Sequence, residues 1–421
     1  MAPKRHLGLG KAAKVKKQKT ESEEPAPSEV SEDKNELTVE MDEEVDANDA
    51  VGQLVALWRT FLLSEEKKEL MLNGIIHECD RLLRKKHNSG ETSGKDADDE
   101  IIDLNGQFHA IYAQALSSLA FFHTEEEDKV AQFFTAASER IQAGREQYPE
   151  SIELLFGEAR ILMNRIPLVE VSQLTLDSKI SKKHPEVAKS LDHSLSKWEE
   201  AVSMAETRQE YKHFNLENLD FLQALDDFLD MSDNFGKVHM EGEDSDDEDD
   251  EDKQVDLAPT HPLHSVRELD KYNQWWREHS VRFLKNLDLQ SKPPADLRRE
   301  LCKRLGQSYL MEAEIPSSVF TTLTYYSKGQ KEINGLTKEQ AQKISQELFN
   351  SALKYLKDAQ DEQDPDTWAN VAEAMISLAN THDLESKEQE SIYKEAEDIL
   401  TRANNATNGK YDDILENLLL N

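Results

Sequence analysis

Three groups of residues in this 421-residue chain have the types that chemistry would need. Gly8, Gly10 and Lys11 form a glycine–lysine string, the composition of a loop that wraps a phosphate. A phosphate loop also needs a preceding strand, a longer spacing between its glycines and a Ser or Thr after the lysine, and none of these is present. His261 and His264 are separated by two residues beside Pro262, but no cysteine or third ligand stands near them to complete a metal site. They read as solvated loop histidines. Cys79 and Cys302 are too few for a disulfide framework or a metal cage. As free cysteines they are expected in the core, in a reducing compartment. The sequence has no HExxH, no GxSxG and no cysteine pair at ligand spacing. Its carboxylates are many, but no acid–base pair is singled out. The expectation is a protein without catalytic residues, metal ligands or cofactor, and so not an enzyme.

Charge is more informative. Asp plus Glu outnumber Lys plus Arg by 85 to 50, a formal charge of −35. That balance opposes direct binding to nucleic acid and suits basic partners. No apolar run approaches the roughly 18 residues that span a bilayer, and the first residues lack the apolar stretch of a signal peptide. The opening MAPKRHLGLGKAAKVKKQK is basic throughout. Lys4 and Arg5 are followed after eight residues by Lys14, Lys16, Lys17 and Lys19, the layout of a bipartite nuclear-import signal read by an import receptor. A generic basic terminus is the alternative. Ten of the twelve residues in Glu241–Asp252 are acidic. Self-repulsion should keep this run extended and solvated. It reads as solvating filler, as a competitor for basic ribosomal or chromatin proteins, or, through Ser245 with Asp246, Asp247 and Glu248 after it, as a site for an acid-directed kinase.

The elements that would position these residues are helical. Glycine and proline are scarce, at 15 and 12 residues, and helix formers dominate. Leu54, Leu57, Trp58, Phe61 and Leu62 fall on one helical face, as do Phe108, Ile111, Tyr112, Ala115, Leu116 and Leu119. Trp368, Val371, Ala372, Met375, Ile376 and Ala379 make the clearest stripe. Thr124 with Glu127 and Thr337 with Gln340 have the capping-box spacing. Asp364 before Pro365 is an N-cap with proline at the first helical position. Further helices are expected at Ser151–Met163, Pro185–Glu206, Leu216–Met231 and Val266–Leu287, with a polar linker at His87–Asp99. The predicted organisation is a disordered tail over 1–50, a helical part over 51–235, an acidic disordered loop over 236–262, and a helical-repeat part over 263–421.

Three helices share a spacing of small, large apolar, small: Ala137, Ile141, Gly144; Ala352, Leu356, Ala359; and Ala396, Leu400, Ala403. Small residues at such positions let paired helices approach closely. The fold class is therefore all-α, an array of antiparallel helix pairs that is either tetratricopeptide-like or HEAT-like, with a surface for another protein. Trp275 and Trp276 are adjacent on a helix and cannot point the same way, so one belongs to the core and the other is a candidate partner contact. Arg298, Arg299, Lys303 and Arg304 form a rare basic cluster, read as a solvated face, an intramolecular partner of the acidic run, or a site for an acidic partner.

The string PKRHLGLGK at residues 3–11, with the basic run after it, resembles the start of a fungal family called enhancer of translation termination. Fission-yeast-type members of that family are described as negative regulators of a prolyl-hydroxylase-like oxygenase. The rest of the chain is similar in outline: length, acidity, few cysteines, helices from about residue 50 onward. The resemblance implies a nuclear helical-repeat adaptor, with or without shuttling through the cytoplasm. It implies binding to a 2-oxoglutarate- and iron-dependent prolyl hydroxylase of a small-subunit ribosomal protein. Through that partner it implies an influence on translation termination and on oxygen- or sterol-responsive transcription. The iron ligands would be the oxygenase's own. The competing reading is an acidic chaperone or import adaptor for a basic nuclear client such as a ribosomal protein or histone.

Overall fold

The structure is a computed structural model and describes residues 46, 49–91, 103–237, 255–326 and 329–419. The basic string of residues 4–19, with Gly8, Gly10 and Lys11, lies outside the described residues, and so does the acidic run Glu241–Asp252 with Ser245.

Helices dominate, as the residue pattern predicts. In chain order they are α1 (Ala50–Leu63), α2 (Glu69–Glu91), α3 (Gly106–Leu119), α4 (Glu127–Gln147), α5 (Ile152–Arg165), α6 (Val187–Arg208) and α7 (Leu216–Asp233). After them come α8 (His264–Glu268), α9 (Lys271–Asp288), α10 (Ala295–Thr321), α11 (Lys338–Asp358), α12 (Pro365–Ala379), α13 (Lys387–Ala406) and α14 (Asp412–Leu419). Side-chain caps set many of the starts. Asp49, Asn105, Ser151, Asn215 and Ser386 each accept a hydrogen bond from a backbone N–H of the first turn, satisfying a donor that has no partner within the helix. Thr337 and Gln340 form the complete reciprocal capping box at α11, and Asp364 caps α12 with Pro365 behind it.

Thr124 does not cap a helix. The chain turns at His123–Glu126, with Glu126 N–H donating to the His123 carbonyl at 2.8 Å, and α4 starts at Glu127 behind Glu126. The two ring nitrogens of His123 engage Glu69 at 3.1 Å and Glu126 at 3.0 Å, and this pins the turn in place of a Thr cap. The span Val266–Leu287 is two helices rather than one, broken where Leu269 takes an extended backbone conformation. α2 runs into the first residues of the expected polar linker, as far as Glu91.

A two-stranded antiparallel hairpin also interrupts the helices: β1 (Glu332–Ile333) pairs with β2 (Leu336–Thr337). Its turn is Asn334-Gly335, both with positive φ, the pair that a tight type I′ turn prefers.

The strongest packing is between consecutive antiparallel helices: α3 on α4, α5 on α6, α10 on α11 and α12 on α13. The small residues sit at these seams. Ala137, Ala352, Ala396 and Ala403 are fully buried. A Cβ added at Gly144 on α4 would lie 2.8 Å from His109 Cβ and 2.9 Å from Leu154 Cδ2, so only glycine permits this approach of α4 to α3 and α5. Gly306 on α10 plays the same part against α11, where an added Cβ would meet Leu356 Cγ at 2.5 Å.

Apolar clusters succeed one another along the chain. One joins α1, α2 and α3, the next α3, α4 and α5, and the last joins α10 to α14. The largest runs from Ile152 to Ala359 and takes side chains from both sides of the acidic run. Residues 255–262, which their nearness to that run assigns to a solvated loop, are packed instead. Leu257 and His261 are buried, and Val187 N–H donates to the Pro262 carbonyl at 3.2 Å.

Candidate partner-binding surface

The paired tryptophans divide as their adjacency on one helix requires. Trp276 is buried, and its indole N–H donates to the Leu222 carbonyl at 2.7 Å, which makes it part of the central core. Trp275 is half-buried. Its Nε1 donates to Glu199 Oε1 on α6 at 2.6 Å, and its ring stacks on His279 with centroids 3.8 Å apart. Burial pushes the pKa of His279 down to about 4, against the opposing field of Glu199, so this imidazole is neutral at physiological pH. A turn further on, Arg282 donates to Glu206 at 2.8 Å and Asn286 donates to the same carboxylate at 2.7 Å. The hydrogen bond from Arg282 holds Glu206 below the usual carboxylate range. The α6–α9 seam is thus a fixed polar strip with one aromatic face at the surface.

The three arginines of the basic cluster on α10 are paired within the molecule. Arg298 donates to Asp288 at 3.0 Å and to Asp358 at 3.3 Å. Arg299 pairs with Asp296 and, at 3.2 Å, with Asp361. Arg304 reaches Asp226 on α7 and Glu300, both at 3.0 Å. These guanidiniums tie α10 to α7, α9 and α11. Their carboxylates come from α7, α9, α10, α11 and, with Asp361, the turn between α11 and α12.

A second polar junction lies where four helices meet. Glu217 Oε1 on α7 accepts from Trp58 Nε1 on α1 at 3.0 Å and from Gln114 Nε2 on α3 at 2.7 Å. Arg160 on α5, itself buried, donates to Gln114 Oε1 at 3.3 Å and to the Glu217 carbonyl at 3.1 Å, and it pairs with Asp220. Nothing in the local sequence joins these residues.

The candidate chemical groups are structural where the structure describes them. His261 is not a solvated loop histidine. It is buried, Nε2 donates to the Thr175 carbonyl at 3.1 Å, and Nδ1 accepts from Leu263 N–H at 3.2 Å. Burial lowers its pKa, so it stays neutral and pins the 255–263 segment onto the loop before α6. His264 opens α8. Cys79 and Cys302 are buried free thiols. Burial raises both, Cys302 to about 11, so neither is a thiolate nucleophile at neutral pH. Among the described residues no group of three His, Cys, Asp or Glu could hold a metal ion, and no helix is long and apolar enough to cross a membrane.

Exposed apolar side chains that the sequence pattern does not single out occur in two places. Leu63, Leu70, Phe121 and Phe122 are exposed at the α1–α2 and α3–α4 turns, which the His123–Glu69 contact ties together. Met311 and Ile315, one turn apart on α10, are 63% and 65% exposed. Their helical spacing makes them look like core in the sequence; only packing shows that no helix among the described residues covers them.

Helix pairs with small residues at their seams and consecutive apolar cores define an all-α helical-repeat protein. Comparison with known proteins gives the family. The family model described as nuclear pore complex subunit Nro1 matches residues 1–419, and the chain belongs to this family. A protein named enhancer of translation termination 1 from Clavispora lusitaniae is 62% identical over the whole of both chains. Its namesake from Scheffersomyces stipitis is 52% identical over 99% of each. Among solved structures, the S. pombe nuclear import adaptor Nro1 superposes with a TM-score of 0.52 at 16% identity, covering 90% of this chain and 99% of that one. A second Nro1 structure, described as a hypoxic regulator of sterol synthesis and a nuclear import adaptor, superposes with a TM-score of 0.51 at 15% identity, covering 87% of this chain and 92% of that one.

Proposed function

We propose that this protein is a nuclear-import adaptor whose helical body holds a client while its basic head engages the import receptor. The observation that carries the reading is the family membership over nearly the full length. It is supported by a helix-pair scaffold of the same fold as the solved import adaptors. Lys4, Arg5, Lys14, Lys16, Lys17 and Lys19 are the address. The client is a 2-oxoglutarate- and iron-dependent prolyl hydroxylase, with its small-subunit ribosomal substrate, and the outcome is an influence on translation termination and oxygen- or sterol-responsive transcription. Trp275 contributes a partner contact on the α6–α9 seam. Catalysis, iron and 2-oxoglutarate belong to the client.

Affinity purification of the full chain with quantitative mass spectrometry tests the client. The expected result is enrichment of the hydroxylase or the ribosomal protein together with an import receptor, and an interactome lacking all three sinks the reading. Replacing Lys14, Lys16 and Lys17 with Ala tests the address by imaging: nuclear accumulation is lost, and its persistence would show that the address lies elsewhere. The charge of −35 favours one rival, an acidic chaperone for a basic client. Deleting Glu241–Asp252 separates the two. A chaperone loses client binding in a salt-dependent way, whereas an adaptor working through its helices keeps it.

A further inference from the structure

We propose that the loop before α6, residues 175–184, is a docking site for a short acidic peptide segment of a protein partner, one that also carries an apolar side chain. The loop holds Lys179, Lys182 and Lys183 against a single acidic residue, Asp177. All three lysines are exposed. None makes an ion pair or side-chain hydrogen bond among the described residues. The contrast is with α10, where Arg298, Arg299 and Arg304 are each consumed by neighbouring aspartates and glutamates. Beside the lysines, Leu176 and Ile180 are each 46% exposed.

The loop is held in shape from within and from behind. Ile180 N–H donates to the Thr260 carbonyl at 2.8 Å, and Ser181 N–H to the His184 carbonyl at 2.8 Å. Thr175 N–H donates to Ser178 Oγ at 2.9 Å and His184 N–H to Ser181 Oγ at 3.1 Å. The buried His261 braces the Thr175 carbonyl from the core side. Backbone groups that would otherwise need water are thereby paired, so the lysines extend from a fixed frame and little ordering entropy is lost when a partner binds.

Charge selects the occupant. Three exposed ammonium groups in one loop with an exposed aliphatic side chain attract a segment of carboxylates with one apolar residue among them. A long polyanion meets the same three cations and also the negative field of the rest of the molecule, and screening over about 10 Å does not hide that field from a duplex. A short acidic segment lies within reach of the local charges only. The inference concerns a second surface and does not depend on which client the adaptor carries.

The test is fluorescence anisotropy on the full chain with a short fluorescein-labelled Asp/Glu peptide bearing one central Leu. The wild-type protein is expected to bind, more weakly as salt rises. K179E/K182E/K183E is expected to lose about tenfold or more in affinity, since three exposed pairs are replaced by three repulsions. Its circular dichroism melt should stay at the wild-type position, because the three side chains have no partner among the described residues. Ile180→Ala is expected to weaken binding about threefold with an unchanged salt dependence, the effect of lost apolar contact. No binding by the wild-type protein, an unaffected charge-reversed variant, or equal binding of an oligonucleotide of matched charge would each overturn the proposal. So would peptide binding that appears only after residues 241–252 are deleted, which would make the chain's own acidic run the occupant.

Discussion

Gly144 offers the sharpest test of the helix-pair seams. Replacing a mid-helix glycine with Ala is worth about 1 kcal/mol in helix propensity, and Gly74 on α2 is a site where nothing opposes that gain. An added Cβ at Gly74 has no atom within 4 Å. At Gly144 the same Cβ arrives 2.8 Å from His109 Cβ and 2.9 Å from Leu154 Cδ2. His109 Cβ is one bond from the α3 backbone, so relief requires moving a helix rather than turning a side chain. Overpacking of this kind costs about 1–3 kcal/mol. The propensity gain is common to both variants and cancels between them. Gly144→Ala is therefore expected to be about 1–3 kcal/mol less stable than Gly74→Ala, each measured against wild type. A chain with several successive cores need not unfold in one step, so the assay is hydrogen exchange followed by mass spectrometry, read on α3 and α4 for Gly144→Ala and on α2 for Gly74→Ala. Slow-exchanging peptides of α3 and α4 should lose about 5- to 150-fold in protection relative to the glycine control. Two variants of equal effect, or a Gly144→Ala protein better protected than wild type, would refute the claim that this seam requires glycine.

His109 should make the protein acid-sensitive. Both ring nitrogens are buried without a hydrogen-bond partner, and burial, with Arg140 and Lys86 adding to it, lowers its pKa from 6.5 to about 4. The unfolded chain takes up the proton first, so stability is full above about pH 6.5 and is lost as pH falls toward 4. The loss is roughly 2 kcal/mol at pH 5, and His109→Leu should flatten that part of a urea-midpoint profile. Trp58→Phe removes the donor to Glu217 at the four-helix junction and should cost about 1–2 kcal/mol, read as a lower midpoint in urea. Cys79 and Cys302, buried and raised in pKa, should resist iodoacetamide at neutral pH in the folded protein and react in denaturant; prompt labelling of the folded chain would contradict their burial.

Much of the fold was legible because helix signals are local. A capping box needs only four consecutive residues, and Thr337 with Gln340 does in the structure what its spacing promised. The Trp368–Ala379 stripe is written within one helix, and Val371, Ala372, Met375 and Ala379 are buried as their period requires. Thr124 had the same local signal and lost it to His123, whose partner Glu69 lies 54 residues away. The Asn334-Gly335 turn was also legible, as a hairpin dipeptide, but strands of two residues leave too short an alternation to register.

Charged and aromatic side chains followed another rule. The sequence by itself determined an all-helical chain with small residues at helix seams, a strongly negative charge and a basic head, because these depend on composition and on spacing within a few turns. Tertiary structure decided what each polar group meets. Arg304 finds Asp226 across 78 residues and Arg298 finds Asp358 across 60, so the arginines of the conspicuous basic cluster are paired internally. Trp276 enters the core while Trp275 keeps a face at the surface, and His261 is buried against Thr175. Lys179, Lys182 and Lys183 are exposed in a loop that no local pattern distinguishes. The physical reason is that burial follows a period set by the backbone of one element, whereas an ion pair needs two groups within a few ångströms, and that distance exists only after the helices have packed.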